Sequence, residues 1–218
     1  MSNTRTSEIT REAIVKDMLA RRVSAIIRTE DPAVAREAMA AAVRGGFTMI
    51  EFTLSIPGAL GLVAEFAADP KLLVGVGTVM DRDQTRAAVA AGARFIVSPV
   101  LELEVLAEAQ TLGVAGLPGT YTATEMWAAH RAGADFVKLF PAPADIAKYI
   151  VQLRGPMPYL RVFPTAGVTR DNFVEILGAG AAGVGFVSSL FEAAELKAGN
   201  FRAIEERAAS IIARLAQV

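Results

Sequence analysis

The unit that decides the fold is clearest in the stretch Ala134-Asp135-Phe136-Val137-Lys138-Leu139-Phe140-Pro141. Gly133 precedes this stretch and ends a helical pattern, and Pro141 stops the apolar run. A short apolar run between two such turn signals predicts a β-strand that is buried on both faces. Strands of that kind occur in parallel sheets covered by helices, so the stretch favours an α/β fold.

Lys138 is the unusual residue of this strand. Lysine is rarely buried in full unless it is paired or takes part in chemistry. Burial disfavours the ammonium form, so a buried lysine loses its proton more readily and becomes a nucleophile that can form a Schiff base. Two structural explanations stay open at this point. Lys138 could lie at a strand end with its ammonium in solvent, or it could pair with a core carboxylate.

The same strand and helix pattern recurs along the chain. Predicted strands lie at about residues 23–28, 48–54, 72–79, 95–99, 114–119, 136–140, 161–167 and 183–189, each followed by a helical pattern. Another helical pattern, from about Thr6 to Arg21 with Ile9 as its first apolar position, precedes them. Eight such units suggest a closed (β/α)8 TIM barrel with an extra N-terminal helix. We therefore predict a single domain over residues 1–218, with the N-terminal helix in 1–22 and the barrel in 23–218.

An open doubly wound sheet is the main competing fold. Its nucleotide-binding members carry a G-x-G-x-x-G motif after the first strand. Arg28-Thr29-Glu30-Asp31 occupies that place here, which disfavours this alternative. Gly75-Val76-Gly77 is a pair of glycines inside a strand and more often makes room for a neighbouring side chain or a ligand.

Composition limits the functions to consider. The chain has 218 residues, 53 % hydrophobic and 21 % charged, which suffices for one full core. A formal net charge of -1 gives no electrostatic reason to expect nucleic acid or an anionic membrane as a partner. The absence of cysteine and the single histidine, His130, exclude disulfides, thiolate metal sites and a two-histidine metal site within one chain.

The N-terminal residues 1–12 are polar and lack the apolar segment of a secretory signal. No apolar run of about 18 residues or more predicts a membrane span. We therefore expect a soluble cytoplasmic protein.

Glu51 is the second candidate for chemistry. Active groups of barrels gather at the carboxyl ends of the strands, and Glu51 lies at about the depth in the second strand that Lys138 has in the sixth. Alternation places Glu51 on one face with Met49 and Thr53. A buried ion pair would be a weak source of stability, because desolvation can exceed the Coulomb gain. A Schiff-base lysine with a carboxylate that transfers protons is a coherent set, so we predict both as catalytic.

The ends of the last two predicted strands carry small and polar residues, Thr165-Ala166-Gly167 and Val187-Ser188-Ser189. Loops at this place in many barrels bind phosphate through backbone N–H groups, and small residues let the backbone come close. Ordinary tight turns would select similar residues, so both explanations stay open.

Six motifs match a known family in their order along the chain. They are Ile50-Glu51-Phe52-Thr53-Leu54, Gly75-Val76-Gly77-Thr78-Val79, Ser98-Pro99, Pro118-Gly119 with Thr122-Ala123-Thr124-Glu125, Val137-Lys138-Leu139-Phe140-Pro141, and Pro164-Thr165-Ala166-Gly167-Val168. With them, the chain resembles the 2-keto-3-deoxy-6-phosphogluconate / 4-hydroxy-2-oxoglutarate (KDPG/KHG) aldolases over about residues 20–215. That family consists of class I lyases with a (β/α)8 barrel.

The resemblance implies a role for each matching residue. Lys138 would form the Schiff base with a keto carbon, and Glu51 would move protons through water in carbinolamine formation and C–C cleavage. Thr78, Pro99 and Phe140 would shape the pyruvate end of the site.

The distal phosphate would be held by Gly167 and Ser189, with Ser188 among the neighbouring amides. The resemblance also implies a small-molecule substrate, no cofactor and no metal, and a homotrimer.

Two departures concern the substrate. Ser55 holds the place where gluconate-type members commonly carry an arginine, which resembles the galactonate-type aldolases, whereas Thr165 resembles the gluconate type. Arg28, at the end of the first strand, is then the candidate cation for the substrate carboxylate or phosphate. Ala166 and Val187 replace glycines of the family's phosphate loops, so an unphosphorylated or larger substrate stays open.

The expected activity is therefore cleavage of a KDPG-like 2-keto-3-deoxy-6-phospho sugar acid to pyruvate and glyceraldehyde 3-phosphate. The substrate could instead be of the 6-phosphogalactonate type, an unphosphorylated 2-keto-3-deoxy acid or 4-hydroxy-2-oxoglutarate. Two further functions stay open, namely a phosphosugar epimerase or synthase barrel that uses no imine, and a catalytically silent binding module.

Overall fold

The computed structural model of the protein describes residues 10–218, and in them strands and helices alternate. The strands are β1 (Val23–Ile27), β2 (Met49–Thr53), β3 (Leu73–Gly77), β4 (Phe95–Val97), β5 (Ala115–Leu117), β6 (Gly119–Thr120), β7 (Val137–Leu139), β8 (Val162–Pro164) and β9 (Val184–Phe186). The helices are α1 (Arg11–Arg21), α2 (Pro32–Arg44), α3 (Ala59–Ala67), α4 (Arg82–Ala90), α5 (Leu103–Thr111), α6 (Ala123–Arg131), α7 (Ile146–Arg154), α8 (Phe173–Gly178), α9 (Ala193–Ala198) and α10 (Phe201–Leu215).

Several helices begin where short polar side chains replace the missing backbone hydrogen bonds of the first turn. Asp31 accepts from Ala33 N at 2.8 Å, and Pro32 follows it at the first helical position of α2. Asp81 caps α4 by accepting from Gln84 N at 2.7 Å.

The strands form two parallel sheets. Six of them follow the order β5-β4-β3-β2-β1-β9, and the other three follow β6-β7-β8. The predicted fifth strand, 114–119, is divided into β5 and β6 by Pro118, which has no N–H to donate to a neighbouring strand. The fold is therefore α/β with parallel sheets, as predicted, but its described strands number nine in two sheets instead of eight in one closed sheet.

Alternating side chains of the strands enter two separate cores. Ile50 and Phe52 of β2 belong to a large core between the sheets and the helices, called the outer core below. Met49, from the opposite face of β2, belongs to a smaller core between the strands, called the inner core, together with Phe95 and Phe163. The polar residues of the site described below lie on this inner face.

Helix α1 closes one end of the inner core. Its residues Ile14, Val15 and Met18 are buried there against the inward-facing strand residues. The Nε of Arg11 donates to Asp135 at 2.8 Å and so ties the helix to the segment before β7. The predicted beginning of this helix, at Thr6 with Ile9, lies outside the described residues.

The hydrophobic pattern did not predict α9. None of its six residues is buried, so the segment has no apolar stripe for a periodicity argument to detect. A helix follows each predicted strand, as the helical patterns indicated. No helix in residues 10–218 has the length and apolar character that crossing a bilayer requires.

Candidate active site

Lys138 lies in the middle of β7, on the face that is turned toward the inner core. Its neighbours Val137 and Leu139 are in the outer core, and the side chain of Lys138 is on the opposite face. Only 7 % of Lys138 is exposed, and in residues 10–218 no carboxylate oxygen lies within 4.0 Å of its ammonium. Neither structural explanation left open by the sequence, a solvated strand end or a direct ion pair, describes this geometry.

Glu51 lies on β2 and is even more buried, with 3 % exposed. The strand register pairs Glu51 with Gly75 and Thr53 with Gly77. The Glu51 side chain leans along β2 toward its carboxyl end, so that its carboxylate lies beside Gly77. The carboxylate therefore lies near the carboxyl ends of the strands, because Gly77 is the last residue of β3.

Glu51 and Lys138 line one cavity of about 210 Å³ at the carboxyl ends of β1, β2, β7, β8 and β9. The other lining residues are Ile26, Arg28, Phe140, Thr165, Ala166, Gly167, Val168, Val187, Ser188 and Ser189. Eight of the site residues predicted from the sequence therefore line one cavity, although they come from five different strands and the loops that follow them.

Burial and charge shift the pKa values of the two central groups in opposite directions. Burial raises the pKa of Glu51, and the positive charges of Lys138 and Arg28 partly oppose this. Burial lowers the pKa of Lys138; Glu51 opposes that shift, and Arg28 adds to it. Both shifts favour the uncharged forms, which are the forms that a nucleophilic amine and a proton-donating acid require.

The far end of the cavity is formed by the loops after β8 and β9. Ser189 Oγ donates to the backbone oxygen of Val168 at 2.6 Å and so joins the two loops. Gly167 adopts a φ of 69°, in the left-handed region that favours glycine. Within residues 10–218, the backbone N–H groups of Gly167, Ser188 and Ser189 donate to no protein acceptor. Free N–H groups on a concave surface suit an anion.

Three predicted site residues do not line the cavity. Thr78 lies at its rim, where its Oγ1 accepts from Arg28 Nη2 at 3.2 Å, and it adopts a φ of 63° that is unusual for a β-branched residue. The Ser55 hydroxyl is 2.8 Å from that of Thr53. Pro99 packs its carbonyl against Gly119.

Sequence reasoning did not single out Ile26, Val168 or the contact between Gly77 and Glu51. Ile26 could have been found from β1, because it precedes Arg28 by two residues and therefore shares its face. The contact at Gly77 had no signal in the sequence beyond the glycine itself. The predicted surface position of His130 is confirmed, since its residue is exposed on α6. Among residues 10–218, no three His, Cys, Asp or Glu side chains cluster so that they could hold a metal ion.

Comparison with known proteins gives the same fold and a class. A solved structure described as native KDPGal is 31 % identical, with a TM-score of 0.80, and the match covers 89 % of this chain and 94 % of the other. The KDPG aldolase of Legionella pneumophila, solved with pyruvate captured at low pH as a covalent carbinolamine intermediate, is 28 % identical, with a TM-score of 0.79 over 91 % of this chain and 96 % of that one.

Sequence comparison agrees. The 2-dehydro-3-deoxy-6-phosphogalactonate aldolase of Escherichia coli K12 is 34 % identical over 175 residues, which are 78 % of this chain and 85 % of the relative. These relatives are aldolases, a class of carbon–carbon lyases. The profile of one family, described as "KDPG and KHG aldolase", matches residues 14–207, and the chain belongs to that family.

Proposed function

We propose that the protein is a class I aldolase that cleaves a 2-keto-3-deoxy-6-phospho sugar acid to pyruvate and glyceraldehyde 3-phosphate. The observation that carries the proposal is that the Lys138 amine and the Glu51 carboxyl are buried in one cavity without pairing directly to each other. An amine kept free in this way can attack a carbonyl carbon, and a carboxyl group beside it can move protons.

The reaction follows from these two groups. Neutral Lys138 adds to the keto carbon of the substrate, and the resulting carbinolamine loses water to form a protonated imine. A base takes the proton of the C4 hydroxyl, the C3–C4 bond breaks, and its electron pair moves into the imine to give an enamine and an aldehyde. Protonation of the enamine at C3 and addition of water release pyruvate and free Lys138. Glu51, directly or through water, transfers the protons.

The remaining site residues are proposed to bind substrate. Thr165 and Phe140 line the cavity beside Lys138, and the relative solved with a pyruvate carbinolamine supports a pyruvate end there. Arg28 supplies a cation at the mouth. Thr78, which holds Arg28 through its hydroxyl, is proposed to contribute at the rim.

Ser55 and Pro99 do not line the cavity, and we propose that they contribute by shaping the loops after β2 and β4.

The free amides of Gly167, Ser188 and Ser189 are the proposed phosphate site. Ala166 and Val187 line this end of the cavity where the family carries glycines, so the substrate series must include unphosphorylated acids. The Escherichia coli relative named for phosphogalactonate makes the galactonate epimer the principal alternative substrate.

We further propose that the chain is one domain, 1–218, in which both sheets close into a single barrel. The N–H of Ala182 donates to Val162 O at 2.9 Å between the segments of β8 and β9, and a single residue separates β5 from β6. From the family resemblance we propose a homotrimer, and the cytoplasmic location expected from the sequence is likewise a proposal.

Pyruvate release, measured through coupled lactate dehydrogenase, tests the activity. The substrates are 2-keto-3-deoxy-6-phosphogluconate, its galactonate epimer and the unphosphorylated form of each. We expect release from a phosphorylated acid; equal rates with unphosphorylated acids would remove the phosphate site from the proposal. No release from any of the four would contradict aldolase activity.

Borohydride reduction in the presence of pyruvate tests the Schiff base. Mass analysis should find a reduced pyruvyl group on Lys138 in the wild-type protein and none in Lys138→Met. Lys148→Met, at an exposed lysine of α7, is the matched control and should be labelled like the wild type. An unmodified Lys138 in folded wild-type protein would refute the imine.

A further inference from the structure

Gly77 lies where β3 passes the side chain of Glu51. A Cβ at Gly77 would lie 1.9 Å from Glu51 Oε1 and 2.8 Å from its Cδ, so the carboxylate occupies the space that any other residue's side chain would fill. Gly77 is the last residue of β3 and does not have a positive φ. The backbone conformation therefore does not require glycine at position 77. The nearby carboxylate of Glu51 requires it, because a side chain would overlap with that carboxylate.

The neighbouring Gly75 faces a different group. A Cβ at Gly75 would lie 2.2 Å from the ring of Phe95, which is packed in the inner core with 1 % exposed. Gly75 therefore makes room for a core ring. The two glycines of Gly75-Val76-Gly77 differ in what they accommodate, and Gly77 alone borders the Glu51 carboxylate.

We infer that Gly77 is a positioning residue for the aldolase reaction: its missing side chain lets Glu51 extend across β3 and hold its carboxylate within reach of the substrate on Lys138. The inference rests on the proposed function, because it assigns Gly77 to the group that moves the protons.

The expected effect of a methyl group at Gly77 follows from the flexibility of Glu51. The atom that an alanine would strike is the end of a side chain that can rotate, so the carboxylate moves and the backbone of β3 does not. An oxygen at 1.9 Å must withdraw by about 1.5 Å to reach an ordinary contact of 3.4 Å. Displacements of about 1 Å in a catalytic group reduce turnover on the order of 100-fold.

Gly77→Ala is the first variant, with Gly116→Ala as its matched control. Gly116 is also a strand glycine, on β5, and its Cβ would strike a flexible side-chain end, Cδ1 of the buried Leu106 at 2.5 Å. We expect Gly77→Ala to lower kcat about 100-fold with KM within about threefold of wild type. Gly116→Ala should keep the wild-type kcat. A kcat for Gly77→Ala equal to that of Gly116→Ala would overturn the inference.

Glu51→Ala and the double variant Glu51→Ala with Gly77→Ala separate positioning from a structural defect. Without the carboxylate, the alanine at position 77 has nothing to displace, so the double variant should turn over substrate at the rate of Glu51→Ala alone. A further loss of about 100-fold in the double variant would mean that the methyl group damages the site by another route and would overturn the inference.

Folding and function are distinguished in the same set. If Gly77→Ala does not fold, the double variant must fold as well as Glu51→Ala, because the clash is absent; its failure to fold would also overturn the inference. If wild-type protein neither cleaves substrate nor is trapped on Lys138, the proposed function fails. If wild type is active and Gly77→Ala equals it, only the positioning role fails.

Discussion

Glu51 of β2 and Lys138 of β7 line the same cavity from two different sheets, and no direct ion pair joins them within residues 10–218. Burial is the largest influence on both, and it raises the pKa of the carboxyl and lowers the pKa of the amine. Two ionisable groups shifted in opposite directions in one cavity are characteristic of sites that transfer protons.

Glu51→Gln should lower kcat by about 10²- to 10⁴-fold, because the amide cannot accept or donate the proton that the carboxyl group transfers. Steady-state pyruvate release measures the effect. Glu104→Gln, at an exposed carboxylate of α5, is the control and should match wild type. A Glu51→Gln kcat within about threefold of wild type would assign proton transfer to another group.

Glu51→Gln should also change stability in a pH-dependent way. Because the folded pKa of Glu51 is raised, the folded protein binds this proton more strongly than the unfolded chain, so wild-type stability falls as pH rises from 4.5 through the folded value. The variant lacks this loss, and its stability relative to wild type should increase over the same pH range, by about 1.4 kcal/mol for each unit of pKa shift. Urea unfolding at several pH values measures the difference. A difference that is constant with pH would contradict the raised pKa.

Arg28→Met should move the pH dependence of imine formation upward. The positive charge of Arg28 lowers the pKa of Lys138, so its removal lets Lys138 keep its proton to higher pH. The rate of borohydride trapping with pyruvate should therefore reach half its maximum at a higher pH than in wild type. Arg28→Met should also raise KM, because it removes a cation that can contact the substrate. A contact between Arg28 and the phosphate predicts a larger rise for the phosphorylated than for the unphosphorylated substrate. Arg82→Met, on α4 outside the cavity, should leave the trapping profile unchanged.

Asp135→Ala should lower the free energy of unfolding by about 2–4 kcal/mol, because Asp135 joins α1 to the strands. Its carboxylate accepts from Arg11 Nε at 2.8 Å and from Gly116 N at 3.0 Å, and its side chain is 11 % exposed. Urea denaturation measures the loss, and kcat of the folded fraction should stay at the wild-type value. Asp83→Ala, at a side chain that is 93 % exposed, should change stability by less than about 0.5 kcal/mol. An Asp135→Ala protein as stable as Asp83→Ala would show that the Asp135 contacts contribute little to holding α1 against the strands.

The alternation of apolar strands with helical patterns was sufficient to predict the α/β class, the parallel strands and the order of the elements. Local signals act within a few residues, so a helix start such as Asp31-Pro32 carries its own signal in the sequence. Lys138 and Glu51 stood out because a charged residue in an otherwise apolar strand is costly to bury. That cost arises from burial itself, whatever residue lies opposite.

Contacts between residues on different strands were not predicted from the sequence, because they depend on the tertiary structure. The division of the fifth strand at Pro118 and the exposed helix α9 carry no hydrophobic period, so the pattern missed them. The lean of the Glu51 side chain onto Gly77 depends on the register of β2 with β3, and sequence alone does not fix that register. The sequence thus determined which residues were chemically unusual, whereas strand pairing decided which of them share a cavity, because distances between strands arise only on folding.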